Sequence, residues 1–102
     1  MLCLLSARRL KPGAFDQFRR AWEPPADDYP PGFQRAYHAR NIRDEDEIVS
    51  FGLFDGSIEE LRGWRAQHED EELKRQDAMA AFVENLHVEG IYEVIDEVRP
   101  SS

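Results

Sequence analysis

The stretch Glu47 to Trp64, EIVSFGLFDGSIEELRGW, decides the fold. An apolar run with a period of two ends at Asp55-Gly56, and the apolar spacing then lengthens to about 3.6 residues. Strand, tight turn and helix follow in that order. Ser57 and Glu60 stand at capping-box spacing, so the hydroxyl can serve an orphan helix amide while the carboxylate reaches back to the Ser57 N–H. The helix is therefore expected to start at Ser57. Within the strand, Val49, Phe51 and Leu53 share one face, and Ile48, Ser50, Gly52 and Phe54 share the other. Apolar residues on both faces predict a strand covered from two sides.

Upstream, Phe33 to Ile42 alternates as a hairpin partner across a polar turn, Arg43 to Asp46. It sets Phe33, Arg35, Tyr37 and Ala39 against Gln34, Ala36, His38, Arg40 and Ile42. Leu2 to Leu10 reads as the first strand, broken by Lys11-Pro12-Gly13, with Pro12 suited to a first helical turn. In the helix that follows, Phe15, Phe18 and Trp22 form one aromatic stripe. Prolines 24, 25, 30 and 31 make Glu23 to Gly32 a surface loop.

Downstream of Gln67, Glu69 to Asn85 reads as a further helix: its acidic start suits the helix dipole, and Leu73, Met79, Phe82, Val83 and Leu86 supply a buried stripe. Val88 to Val98 is the last strand. The order β-α-β-β-α-α-β predicts an α+β, ferredoxin-like protomer: a four-stranded antiparallel sheet with helices on one face. One domain spans residues 1–98, and 99–102 form a loose tail. Strands apolar on both sides leave the uncovered face of the sheet seeking a second copy, so a homodimer is expected.

Composition narrows the function classes. The 102-residue chain carries a net charge of −8, which disfavours a nucleic-acid partner because phosphate needs a basic face. The one basic cluster, Arg8, Arg9, Lys11, Arg19 and Arg20, reads as a solvated edge. Cys3 is the only cysteine, so a disulfide framework is excluded within the chain and a reducing cytoplasm fits best. The opening MLCLLSA is too short for a signal segment and reads as a strand; no stretch has the length of a membrane span.

Few residues suggest chemistry. His38, on the second strand, has an ordinary pKa near neutrality and suits a general acid or base. Trp64 and Trp22 offer planar surfaces for stacking, although aromatics at helical spacing commonly serve the core. His68 precedes Glu69, Asp70, Glu71 and Glu72, yet consecutive helix residues point apart, so no metal site is expected. No glycine-rich phosphate loop is present.

Several of these motifs together resemble the antibiotic biosynthesis monooxygenase superfamily, dimeric α+β barrels with a ferredoxin-like protomer. The resemblance rests on Lys11-Pro12-Gly13 before an aromatic helix, on Pro31-Gly32-Phe33 leading into Ala36-Tyr37-His38-Ala39, on the strand Ile48 to Phe54, and on the helix after Asp55-Gly56-Ser57. In its cofactor-independent, quinone-forming branch the pocket histidine would fall on His38, while the asparagine and tryptophan positions read Ser50 and Phe54 here. The haem-degrading branch would match at Trp64, but its asparagine position reads Ser6 and its histidine region Leu73-Lys74-Arg75.

The resemblance implies an enzyme that acts on a flat apolar or aromatic small molecule without metal, flavin or other cofactor. His38 would move a proton, Tyr37 or Ser50 would hydrogen-bond the substrate, and Phe54 and Trp64 would line the cavity. The alternative is a non-catalytic dimeric barrel that binds a metabolite or protein partner, or whose pocket is filled by its own side chains.

Overall fold

In the computed structural model, which describes residues 1–24 and 28–101, the elements run β1 (Leu2–Leu10), α1 (Phe15–Trp22), β2 (Phe33–Asn41), β3 (Asp44–Phe54), α2 (Ile58–Gln67), α3 (Glu69–Ala80) and β4 (Val83–Glu93). The four strands form one sheet in the order β2-β3-β1-β4, and every neighbouring pair is antiparallel. This is the expected α+β, ferredoxin-like arrangement. No helix among the described residues is long and apolar enough to cross a membrane.

The register at the centre of the sheet fixes what the helices meet. Leu2 pairs with Phe54, Leu4 with Gly52, Ser6 with Ser50 and Arg8 with Ile48. Partners directly opposite share a face, so the inner side of this strand pair is apolar at both ends and polar in the middle. Two separate apolar clusters result. Leu10, Phe18, Ile48 and Met79 form one, with α1 and α3 packed on the sheet. Leu2, Phe54 and Leu61 form the other, under α2. A space remains between them.

The boundaries differ from the sequence reading in three places. The β2–β3 turn is only Ile42-Arg43, because the pairing continues to Asn41 opposite Asp44 and Arg9 of β1 binds the Asp44 carboxylate. Ser57 caps α2 by accepting from the Glu60 amide at 3.1 Å, but the Glu60 carboxylate takes the Ser57 hydroxyl at 3.3 Å and not the Ser57 amide. The largest shift is at the C-terminal end: α3 stops at Ala80 and β4 begins at Val83, not Val88. Neither glycine nor proline marks that stop. β1 needs a partner along its whole length, and Phe82 O receives the Lys11 amide at 3.0 Å, drawing Phe82 and Val83 into the sheet. Val94, Ile95 and Val98 then lie beyond the strand. Pro12 sits in a turn ahead of α1, closed by Ala14 N–H donating to Lys11 O. Of the proline-rich loop, residues 25–27 lie outside the described residues, as does Ser102 of the tail.

Gly32 holds the entry to β2 against the exit of β3. Its φ is +80°, its carbonyl accepts the Asp55 amide at 2.8 Å, and an added Cβ would lie 2.3 Å from Asp55 O. Gly13 has a similar φ, +70°, with open space around it. Gly32→Ala should therefore destabilise the fold by about 2 kcal/mol or more, and Gly13→Ala by about 1 kcal/mol. Urea denaturation of the two variants measures the difference; equal losses would contradict the close approach at Gly32.

Candidate functional site

The space between the two clusters is a cavity of about 140 Å³, partly open to solvent. Its floor is the polar middle of the sheet: Leu4, Ser6 and Arg8 of β1 with Ser50, Gly52 and Phe54 of β3. Helices supply the walls through Trp22, Trp64, Arg75 and Met79, while Tyr29 and Phe33, stacked at 4.4 Å, close the loop side. The aromatics border the space and do not fill it.

Ser50 links this cavity to His38. The two residues are register partners on β2 and β3, and Ser50 Oγ lies 2.7 Å from His38 Nδ1. The imidazole itself is not a lining group. It is ringed edge-on by Phe15, Phe18 and Trp22, with centroids at 5.9, 5.8 and 4.7 Å. Burial lowers its pKa, with the positive charges of Arg19 and Arg8 acting in the same direction against the opposing pull of Glu23. A neutral ring protonated on Nε2 accepts the Ser50 hydroxyl hydrogen, which leaves the Ser50 oxygen more basic toward whatever occupies the cavity.

The other expected site residues divide. Phe54 and Trp64 do line the cavity, and Ser50 forms part of its floor. Tyr37 does not. It pairs with Phe51, packs on that ring at 5.2 Å, and stands on the opposite face of the sheet, 47% exposed. One residue of alternation from His38 is enough to exclude it from this site. Arg8 is a second correction: expected in a solvated basic edge, it is only 7% exposed, donates to Ser6 Oγ, and lies 5.4 Å from the Phe18 ring centroid. The alternation Leu2, Leu4, Ser6, Arg8, Leu10 carried the signal, since Arg8 shares its face with three leucines. Arg75 is held differently, donating to both oxygens of Glu72 at 3.2 and 3.0 Å and to Trp22 O.

A second polar group lies at the α2–α3 junction, where Asp28, His68 and Glu71 bring one potential ligand atom each within 4.8 Å of one another. Here Asp28 joins from the loop, which no spacing along α3 indicates. His68 Nδ1 donates to Trp64 O at 2.8 Å, and Nε2 faces Asp28 at 3.2 Å. The Glu71 pKa is raised, chiefly by its hydrogen bond with Asp28. Asp28, His68 and Glu71 thus serve as one another's polar partners, Asp28 and His68 half-buried and Glu71 exposed.

No protein-family model matches the sequence, and no curated protein matches it either. Solved structures do match, over nearly the full length. A cofactor-independent oxygenase from Streptomyces nogalater, SnoaB, superposes with a TM-score of 0.74 at 17% identity, covering 97% of each chain. The fold is that of the antibiotic biosynthesis monooxygenases. A proposed member from Deinococcus radiodurans gives a TM-score of 0.72 at 11% identity over all of both chains, and one from Chloroflexus aurantiacus gives 0.63 at 20% over 96% of each. At these identities the likeness concerns the fold.

The half-buried histidine gives a pH signature. Below about pH 6.5 the unfolded chain takes up a proton that folded His38 resists, so its share of stability is present above that pH and falls as the pH drops toward the lowered folded pKa. His38→Gln should flatten the fall in stability between about pH 7.5 and about pH 5.5 measured by urea denaturation. An unchanged slope in the variant would show that the ring titrates normally.

Proposed function

We propose that the protein is a small-molecule monooxygenase-like enzyme, acting on a flat aromatic substrate in the cavity between sheet and helices. The observation that carries this reading is the Ser50–His38 hydrogen bond at 2.7 Å, which joins a cavity-lining hydroxyl to a half-buried imidazole whose pKa is lowered. Ser50 Oγ takes the proton of an acidic substrate C–H or O–H while its own proton passes to His38 Nδ1. The substrate anion then gives its electrons to oxygen. For a methylene flanked by rings, one oxygen atom ends as the product carbonyl and the other leaves as water with both methylene hydrogens. Phe54 and Trp64 hold the ring system flat, and the fold likeness to the cofactor-independent oxygenase supports the same reaction class.

One observation favours binding without turnover: His38 does not line the cavity, packs edge-on against three aromatic rings and hydrogen-bonds to the lining through Ser50. Oxygen uptake separates the two readings. With a panel of anthrones and hydroquinones, His38→Ala and Ser50→Ala should each lower the rate by about 10²-fold or more. Parent rates in both variants, or no uptake by the parent with any member, would overturn the enzymatic reading.

The working form is a homodimer. The outer face of the sheet carries Leu5, Phe51, Val49, Val88 and Tyr92, with Val49 38%, Val88 42% and Tyr92 47% exposed. A second copy lying on this face removes that surface from water. We place the protein in a reducing cytoplasm, where Cys3, half-buried and with its thiol pKa raised by burial, stays a thiol. Sedimentation at micromolar concentration should give twice the 11.9 kDa chain mass, and Phe51→Lys should shift it to the monomer. A monomeric parent would contradict the covered outer face.

A further inference from the structure

Arg8 is the group in the cavity that the proposed reaction leaves unexplained. A guanidinium exposed to only 7% ordinarily has a carboxylate beside it, because an isolated buried charge loses its hydration without compensation. Among the described residues no carboxylate lies within 4 Å of Arg8. Its contacts are the Ser6 hydroxyl and the Phe18 ring. Arg75, which also lines the cavity, is already neutralised by a two-point pairing with Glu72. Glu89, opposite Ser6 on β4, supports the Arg8 charge through its field without pairing with it. Burial pulls the Arg8 pKa down, Glu89 opposes this, and Arg75 adds to the fall. The lining as a whole runs against the chain's composition: three arginines, Arg8, Arg65 and Arg75, face two glutamates in a protein of net charge −8.

We propose that the cavity takes a small planar aromatic anion, a carboxylate or an ionised phenol, whose charged oxygen pairs with Arg8 while its ring lies against Trp22 and Phe54. This rests on reading the cavity as a binding site, and it adds the charge and size of the ligand. A space of about 140 Å³ resembles an engineered cavity that holds a single benzene ring, so one ring is enclosed and any second ring extends toward the opening. The anion supplies the carboxylate or phenolate partner that Arg8 lacks among the described residues. Ser6 Oγ holds the guanidinium in the floor, two residues along β1 from Leu4.

Titration calorimetry with naphthoate, naphthamide and naphthol on the parent protein tests the proposal. Naphthoate should bind at least about tenfold more tightly than naphthamide, the range expected of a charge-assisted hydrogen bond. Arg8→Met should bring naphthoate down to the naphthamide level and leave naphthamide within about twofold of the parent. Should naphthol bind more tightly than naphthoate, with proton release seen across buffers of different ionisation heat, the ionised phenol is the anion and Arg8 keeps its role.

Equal affinities of the three for the parent, or a preference for naphthoate that survives Arg8→Met, would overturn the role of Arg8 and leave the cavity as a site for neutral ligands. No binding of any probe would overturn the cavity reading as well. The comparison on the parent needs no variant, so it stands even if Arg8→Met folds poorly. That variant should in fact be as heat-stable as the parent or more so, because it removes a buried charge that has no carboxylate partner among the described residues.

Discussion

The pairing of Ser6 with Ser50 across β1 and β3 is the constraint on which the rest of the structure depends. A sheet packed under helices would ordinarily be apolar along its whole inner face. Here the two central strands place polar side chains in register at their midpoints, with Leu2 and Phe54 at one end and Leu10 and Ile48 toward the other. The helices close over the apolar ends, and the polar middle stays open. A one-residue slip of β3 would exchange Ser50 for Val49 or Phe51 and close the space with apolar side chains. The cavity is thus a consequence of register, and its polarity and position have the same cause.

Electrostatics follow from that placement. The cavity lies under Trp22, and the same ring that walls it also packs edge-on against His38. Burial then lowers the pKa of two groups, with different outcomes. It favours the neutral imidazole of His38, able to accept a proton; Arg8 stays a guanidinium with no carboxylate within 4 Å among the described residues. A neutral acceptor on β2 and a cation on β1, the two strands that flank β3, suit a ligand that must both lose a proton and carry the resulting charge. The acidic surface outside the cavity, on a chain of net charge −8, sharpens the contrast.

Much of this was legible in the sequence because it depends on alternation. The period-two run before Asp55-Gly56, the Ser57 cap and the aromatic stripe Phe15, Phe18, Trp22 each specify an element locally. The places where the reading failed are those decided by partners distant in sequence. The α3–β4 boundary carries no breaker residue and is set by the demand of β1 for a full-length neighbour. Tyr37 and His38 are adjacent in sequence and on opposite faces of the sheet, so proximity along the chain misled where the alternation did not. Arg8 was hidden by the arginine next to it: Arg9 points outward to Asp44 and Glu47, and only the count along β1 separates the two. Asp28 meets His68 and Glu71 from across the fold, which no local pattern encodes.

The central claim is that the register of β1 and β3 builds a binding site on the helix side of the sheet. A crystal structure of the protein grown with an aromatic carboxylate tests it most directly. The account predicts the ring between Trp22 and Phe54, its carboxylate toward Arg8, and Ser50 within reach of the ligand. A ligand seated instead on the outer face beside Phe51 and Tyr37, or an unliganded crystal in which Trp22 or Trp64 has swung in to fill the space, would contradict it.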